Sequence, residues 1–225
     1  MVSATQEAGV VLMVAQVTRQ FPSHRLAKRM LREGKIGSVH KANRRRHFEV
    51  GEVGPQLEMR PWMTDPQLCT DPLLFGLGSH EFDAMLWLFE SEARTVRAKG
   101  QRSENWSGWE TIEGSVSLRS GIDFEVSMAV EADDEAWDTV IQGTDGTITV
   151  FNDRVVIDGV ETECPFTHDD AFAAQLNEFV SCVRNGREPG PSGRNVIATM
   201  AVLDGVLQSM EDGGPVELPE SGVRW

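Results

Sequence analysis

What this chain has little of limits it first. Its three cysteines, Cys69, Cys164 and Cys182, are odd in number and widely spaced, with no C-x-x-C pair. They build neither a disulfide framework nor a zinc site, and they fit the reduced thiols of a cytoplasmic protein. No apolar run approaches the ~20 residues of a membrane span. The stretch Met1 to Glu7 lacks the basic n-region of a secretory signal. Cationic residues are outnumbered, 21 Lys and Arg against 35 Asp and Glu, for a formal net charge of −14. That balance argues against general binding to nucleic acid or to an anionic membrane. The chain contains no G-x-S-x-G, no G-x-x-x-x-G-K-[ST] and no G-x-G-x-x-G. H-E-x-x-H fails because position 84 is Ala.

What is present describes a folded, soluble protein. Its 225 residues, 40% apolar and 25% charged, suit one large domain or one and a half, with a real core. The basic residues are unevenly placed: ten of the 21 lie between Arg19 and Arg46, opposed only by Glu33. Within them, Asn43-Arg44-Arg45-Arg46-His47 reads as an anion contact or, preferably, as a solvated strand or sheet edge guarded by charge.

The central stretch runs from Leu73 to Phe89. Gly76 and Gly78 break an apolar run, and Ser79 then stands where a helix N-cap is expected. His80 would open that helix, with Asp83 and Trp87 on its own face at i+3 and i+7. The positive end of the helix dipole favours the carboxylates of Glu81 and Asp83 and disfavours an imidazolium, which points to a neutral His80. On residue physics alone the preferred reading is a plain capped amphipathic helix with a polar residue at its mouth. A metal held by His80 and Asp83 would lack a third ligand nearby in sequence.

In chain order, Val10 to Ala15 is a continuous apolar run, predicting a strand buried on both faces. Such a strand needs neighbours that nothing upstream supplies. Ser23 is the expected cap of a helix with Leu26, Ala27, Met30 and Leu31 inside and Gly34 at its C′ position. A strand follows from Val39 to Val50, then an irregular stretch from Gly51 to Thr70 carrying Pro55, Pro61 and Pro66. A loop this long in a compact domain is usually functional or disordered, and it delivers Trp62 and Asp65 ahead of the central helix. Beyond that helix the period becomes two. Strands are predicted over 111–118, 122–131 and 137–142, and then 147–151 and 155–157. Asp145-Gly146 and Asn152-Asp153 form the turns of two hairpins. Two helices close the chain. Thr167 caps the first, with Phe172, Leu176, Phe179, Val180 and Val183 as its apolar stripe. The second follows Ser192, carries Val196, Met200, Leu203, Leu207 and Met210, and stops at Gly213-Gly214. The expected class is α+β: a large, open, mostly antiparallel sheet with helices on one face, preceded by the strand at Val10 to Ala15.

Five stretches, in this order, resemble the C-terminal part of the glucose–fructose oxidoreductase / inositol dehydrogenase / rhizopine-catabolism (Gfo/Idh/MocA) family. They are Ala8 to Val14 running on to Arg19-Gln20-Phe21-Pro22; Leu31 to Gly37; Gly78-Ser79-His80-Glu81-Phe82-Asp83; Ile141 to Thr147; and Phe179 to Ser192. The resemblance implies a two-domain enzyme that binds NAD or NADP and oxidises or reduces a hydroxyl-bearing carbon of a sugar or cyclitol. It makes His80 the catalytic group, which hydrogen-bonds the reacting oxygen or moves its proton, and Asp83 structural. Trp62 and Asp65 fall on the loop that lines the substrate pocket, and Arg19 on the turn assigned to the cofactor. The family has an acid where this chain has Gly76, and Asp71 stands as a substitute.

The family's G-x-G-x-x-G unit and its E-K-P segment with the catalytic lysine have no counterpart, and Met1 falls just after E-K-P. Residues 1–21 are therefore expected to be the remnant of a dinucleotide-binding domain, and 22–225 a substrate-binding and dimerisation domain. The chain alone should bind no cofactor and be inactive. Its partners would be a small sugar or cyclitol and a second copy across the open sheet. The alternative is a free-standing, non-catalytic sheet domain for dimerisation or for binding a sugar-like ligand.

Overall fold

The computed structural model describes residues 1–49, 51, 53, 59–65, 67–102 and 108–223. Alternating apolar and polar residues over most of the chain's second half dictate strands, and these assemble into one sheet. Its strands are β1 (Val39–Glu49), β2 (Ala93–Arg102), β3 (Trp109–Leu118), β4 (Asp123–Ala132), β5 (Ala136–Gly143), β6 (Thr147–Val150), β7 (Arg154–Ile157), β8 (Val160–Glu163) and β9 (Val216–Glu217). The spatial order is β8-β7-β6-β5-β1-β4-β3-β2-β9. Strands β1 and β4 pair in parallel, and the other neighbours are antiparallel. The Asp145-Gly146 and Asn152-Asp153 turns join β5 to β6 and β6 to β7, as their residue chemistry predicts. Val50, Pro55 and Pro66 lie outside the described residues.

The helices are α1 (Val2–Glu7), α2 (Pro22–Arg32), α3 (Ser79–Phe89), α4 (His168–Asn185) and α5 (Gly193–Asp212). Helices α2, α3 and α5 pack on one face of the sheet, where Phe82, Ile112, Phe124, Met128, Ile141 and Leu203 form the centre of the core. Thr167 and Asp170 make the reciprocal capping box of α4, and the Ser192 hydroxyl accepts from the Asn195 amide at the start of α5. Among the described residues no helix is long and apolar enough to cross a membrane. The opposite sheet face is polar and laced by its own pairs: Lys41–Glu125 at 3.2 Å, Lys99–Glu113 at 2.8 Å, and Arg45 on Asp138.

The structure corrects several expectations. Val10 to Ala15 is not a strand: it runs irregularly against the α4–α5 connection, with Met13 bridging Ser192 and the Val14 amide donating to Pro191 O at 2.8 Å. A parallel strand is stable only between neighbours, and the described residues place none beside it. Ser23 does not cap α2. Phe21 holds that position with Pro22 next, and the buried Ser23 hydroxyl donates to Asn152 O at 2.7 Å. Ser79 does not cap α3 either, for reasons given with the site below.

The stripe on α4 also departs from expectation. Its small face, Ala171 and Cys182 with Gln175, rests toward the 3₁₀ turn Val17–Gln20. Phe172, Leu176, Val180 and Val183 are exposed instead.

The largest correction concerns the arginines. β1 is a central strand, and its pleat sends Arg44 and Arg46, 0% and 2% exposed, into the helix-covered core. Arg45 alternates onto the polar face. Glu81 on α3 supplies the counter-charge, taking Arg44 Nε and, at 3.0 Å, Arg46 Nε. Burial alone pushes the Glu81 carboxyl up, but Arg44 and then Arg46 outweigh it and hold it below the usual range. Burial, and then Arg44, bring Arg46 down to about 10. His24 on α2 closes the cluster with Nε2 3.3 Å from Arg44 Nη1. Burial first, then the two guanidiniums, drive its pKa well down. A neutral His24 accepts from Arg44 at Nε2 and donates from Nδ1 to Ser23 Oγ at 3.2 Å.

Candidate active site

The helix that carries His80 begins eight residues earlier than the sequence suggests. Asp71 is its N-cap, with a side-chain oxygen accepting from Leu74 N at 2.8 Å, and Pro72 stands at the first helical position. Residues Pro72–Gly78 wind as a π-helix that runs straight into α3. The glycines that interrupt the apolar run are close-packing positions within this helix. A Cβ on Gly78 would lie 3.3 Å from Met128 Cε, and one on Gly76 would lie 2.7 Å from Met63 Cε. His80 therefore sits inside a continuous helix rather than at a dipole end. The Ser79 hydroxyl donates back to Gly76 O at 3.1 Å.

His80 lines a cavity of about 220 Å³, together with Phe48, Val53, Arg60, Met63 and Leu77. A larger depression of about 640 Å³ lies on the polar sheet face between Arg45, Arg97, Lys99 and Glu113. The smaller one is the better candidate, because a titratable ring converges there on apolar walls. His80 Nδ1 lies 2.9 Å from Gln16 Oε1, and Gln16 Nε2 donates to Ser79 O at 3.3 Å. One turn along the helix, Asp83 takes a two-pronged bond from Arg19, Nε at 2.7 Å and Nη2 at 2.6 Å, and a third from Thr199 Oγ1 at 3.1 Å. Arg19 Nη1 also donates to Gly190 O at 3.1 Å. Both Arg19 and Asp83 are buried.

The other predicted site residues are not brought to His80. Trp62 and Asp65 are exposed, on and just after the 3₁₀ turn Pro61–Thr64, and Met63 between them turns inward. Asp65 Oδ1 accepts from Gln67 N at 2.9 Å. The second Asp71 oxygen accepts from Trp109 N at 2.8 Å, so its buried carboxylate ties the helix start to β3. Burial pushes that carboxyl up, against the pull of the Leu74 and Trp109 amides.

Gln16 was not singled out from sequence, and nothing local marks it: its partner is 64 residues away. Among the described residues no group of three or more His, Cys, Asp or Glu could hold a metal ion. Nor, among them, does a strand pass through a glycine turn into a helix N-terminus as a dinucleotide pyrophosphate requires.

The profile of an oxidoreductase family's C-terminal alpha/beta domain (Gfo/Idh/MocA) matches residues 28–218. The chain is similar to D-apiose dehydrogenase of Paraburkholderia graminis, 26% identical over 97% of the chain and 62% of the relative. It is also similar to inositol 2-dehydrogenase 1 of Saccharopolyspora erythraea, 26% identical over 92% of the chain and 61% of the relative. Thus the chain spans about three-fifths of the length of these curated relatives. Among solved structures, levoglucosan dehydrogenase in complex with NADH and levoglucosan matches with a TM-score of 0.86 at 16% identity. That match covers 97% of this chain and 69% of the other, and it speaks for the fold.

Proposed function

The chain belongs to the Gfo/Idh/MocA oxidoreductase family through that family's C-terminal α/β domain, and we propose that it is the substrate side of an NAD(P)-dependent dehydrogenase. The substrate class is a sugar or cyclitol, and His80 is the group that handles the proton of the reacting hydroxyl. The observation that carries this reading is the position of His80: on helix α3, in a small, mostly apolar cavity, with one ring nitrogen engaged by Gln16. A positioned imidazole of this kind is worth roughly 10²–10⁴-fold in rate.

In this reading residues 22–225 are the substrate and dimerisation domain, and residues 1–21 belong with a cofactor domain. Trp62 and Asp65 reach a substrate only from the rim. Asp71 and Asp83 shape the helix, and Arg19 serves Asp83 rather than a nucleotide. A second copy pairs across the polar sheet face, and three free cysteines suit the cytoplasm. By itself the chain binds NADH no tighter than roughly millimolar, about −4 kcal/mol, which fluorescence titration checks.

The decisive experiment joins the chain to the cofactor domain of the D-apiose dehydrogenase relative and assays NAD reduction with a panel of sugars and cyclitols. Activity that falls by about 10²-fold or more in His80→Ala, with an unchanged melting temperature, supports the assignment. Turnover within about twofold of the parent would remove His80 from the mechanism.

A further inference from the structure

We infer that Gln16 is a positioning residue that fixes which nitrogen of His80 faces the cavity, and that the Arg19–Asp83 pair holds Gln16 in place. The inference rests on the role proposed for His80, but its geometry stands apart from that role.

The hydrogen bonds decide the tautomer by elimination. A backbone carbonyl only accepts, so the Gln16 group 3.3 Å from Ser79 O is its NH₂. The amide oxygen then faces His80 Nδ1 at 2.9 Å, and an oxygen that only accepts requires a proton on Nδ1. Neutral His80 is left with its lone pair on Nε2. That is the nitrogen free to meet a reacting hydroxyl. Proton transfer there breaks the substrate O–H bond and forms Nε2–H, and the bonding pair stays on oxygen. In reverse the same proton returns. A ring flipped by 180° would point a C–H at the Gln16 oxygen, a loss made costly because Gln16 is only 4% exposed.

The second pair explains why Gln16 stays put. Gln16 meets His80 and Arg19 meets Asp83, each across 64 residues. The two contacts are therefore in register, three residues apart on the Val17–Gln20 turn segment and three apart on α3. Q-x-x-R is laid against H-x-x-D in a closed ring. The buried two-pronged Arg19–Asp83 bond clamps the turn to the helix one turn below the imidazole, and Gly190 O and Thr199 anchor it from behind. Asp83 acts on His80 through Arg19 and Gln16, not by touching it.

The test reads the ring directly. The 225-residue chain is labelled with ¹⁵N-histidine, and the ring ¹⁵N–¹H correlations are recorded at a pH where His80 is neutral. The His80 signals are assigned by their loss in His80→Gln. The expected parent spectrum is the Nδ1–H tautomer. Gln16→Glu, which keeps an acceptor oxygen, retains it. Gln16→Leu releases the ring to a mixture, and Arg19→Lys or Asp83→Asn moves it partway in the same direction. A parent in the Nε2–H form overturns the inference whether or not any variant folds. So does a folded Gln16→Leu chain with an unchanged tautomer. If the Nδ1–H form holds while His80→Ala keeps its rate in the two-domain enzyme, the proposed function fails and this inference survives.

Discussion

Removing Glu81 exposes the energetics on which this fold depends. Its carboxylate is shared by Arg44 and Arg46, all three buried, and Arg44 Nη2 has no hydrogen-bond partner among the described residues. Glu81→Leu leaves two guanidiniums in the core beside a neutral His24, with no carboxylate between them. Breaking a buried ion pair from one side costs about 3–5 kcal/mol, and here one deletion strands two charges, so the upper part of that range applies. Against a total stability of about 5–15 kcal/mol, this is a large fraction. For a domain of this size it lowers the melting temperature by roughly 8–20 °C. The triple variant Arg44→Met/Glu81→Leu/Arg46→Met should behave oppositely. It removes the desolvation penalty together with the attraction, and should come within about 1 kcal/mol of the parent or exceed it. Urea midpoints for the parent, the single and the triple variants test the pair of expectations. A single variant within about 1 kcal/mol of the parent would refute the reasoning, because it would mean that the arginines are hydrated or otherwise paired.

Two further outcomes follow from the same core and from the helix start. His24 is neutral in the fold and protonates in the unfolded chain below about 6.5, so the unfolded state binds the extra proton. Stability should fall as pH drops from about 6.5 toward 5, by up to about 1.4 kcal/mol per pH unit, above the window in which Glu81 protonates. His24→Gln should flatten this slope in pH-dependent urea melts, and an unchanged slope would discount His24. Asp71→Ala removes an N-cap and orphans the Trp109 amide, at a cost of about 1–3 kcal/mol. Asp71→Asn, which keeps one acceptor, should lose less, as calorimetry can measure.

The parts of the fold that were legible in the sequence are those with a local signal. Alternation from Ile122 to Glu131, the Asp145-Gly146 turn and the Thr167 and Ser192 caps each state their own structure within a few residues. β2 went unread because Ala93 to Arg102 alternates small residues with charges, leaving Val96 and Ala98 as its inward face. The arginine run misled for a related reason. Period-two alternation was present in Arg44-Arg45-Arg46, but a buried charge is decided by its partner, and Glu81 lies 37 residues away. The helix start was legible in principle, since Asp71-Pro72 is an N-cap followed by an N1 proline. The glycines and Ser79 offered a competing start, and packing of Gly78 against the sheet overruled it. Motif resemblance pointed to His80 and Asp83 as candidates. It could not point to Gln16, whose contact with His80 exists only once two distant segments lie side by side.

The exposed stripe on α4 carries the last expectation. Singly exposed apolar residues are ordinary, but Phe172, Leu176, Val180 and Val183 share one helix face and are 43–62% exposed. The opposite face holds the small Ala171 and Cys182, which let α4 sit close to the Val17–Gln20 turn. Sequence periodicity marked the large residues as needing cover, and the fold of this chain leaves them without it. If the cofactor domain of the proposed enzyme covers them, the same substitution must have two different costs. Leu176→Glu in the 225-residue chain should change stability by less than about 0.5 kcal/mol, as an exposed position does. In the two-domain fusion it should cost about 1.5–3 kcal/mol, the worth of a fully buried leucine, seen as earlier loss of the domain contact in urea. Equal small costs in both proteins would mean that the stripe on α4 is not the surface that meets the cofactor domain.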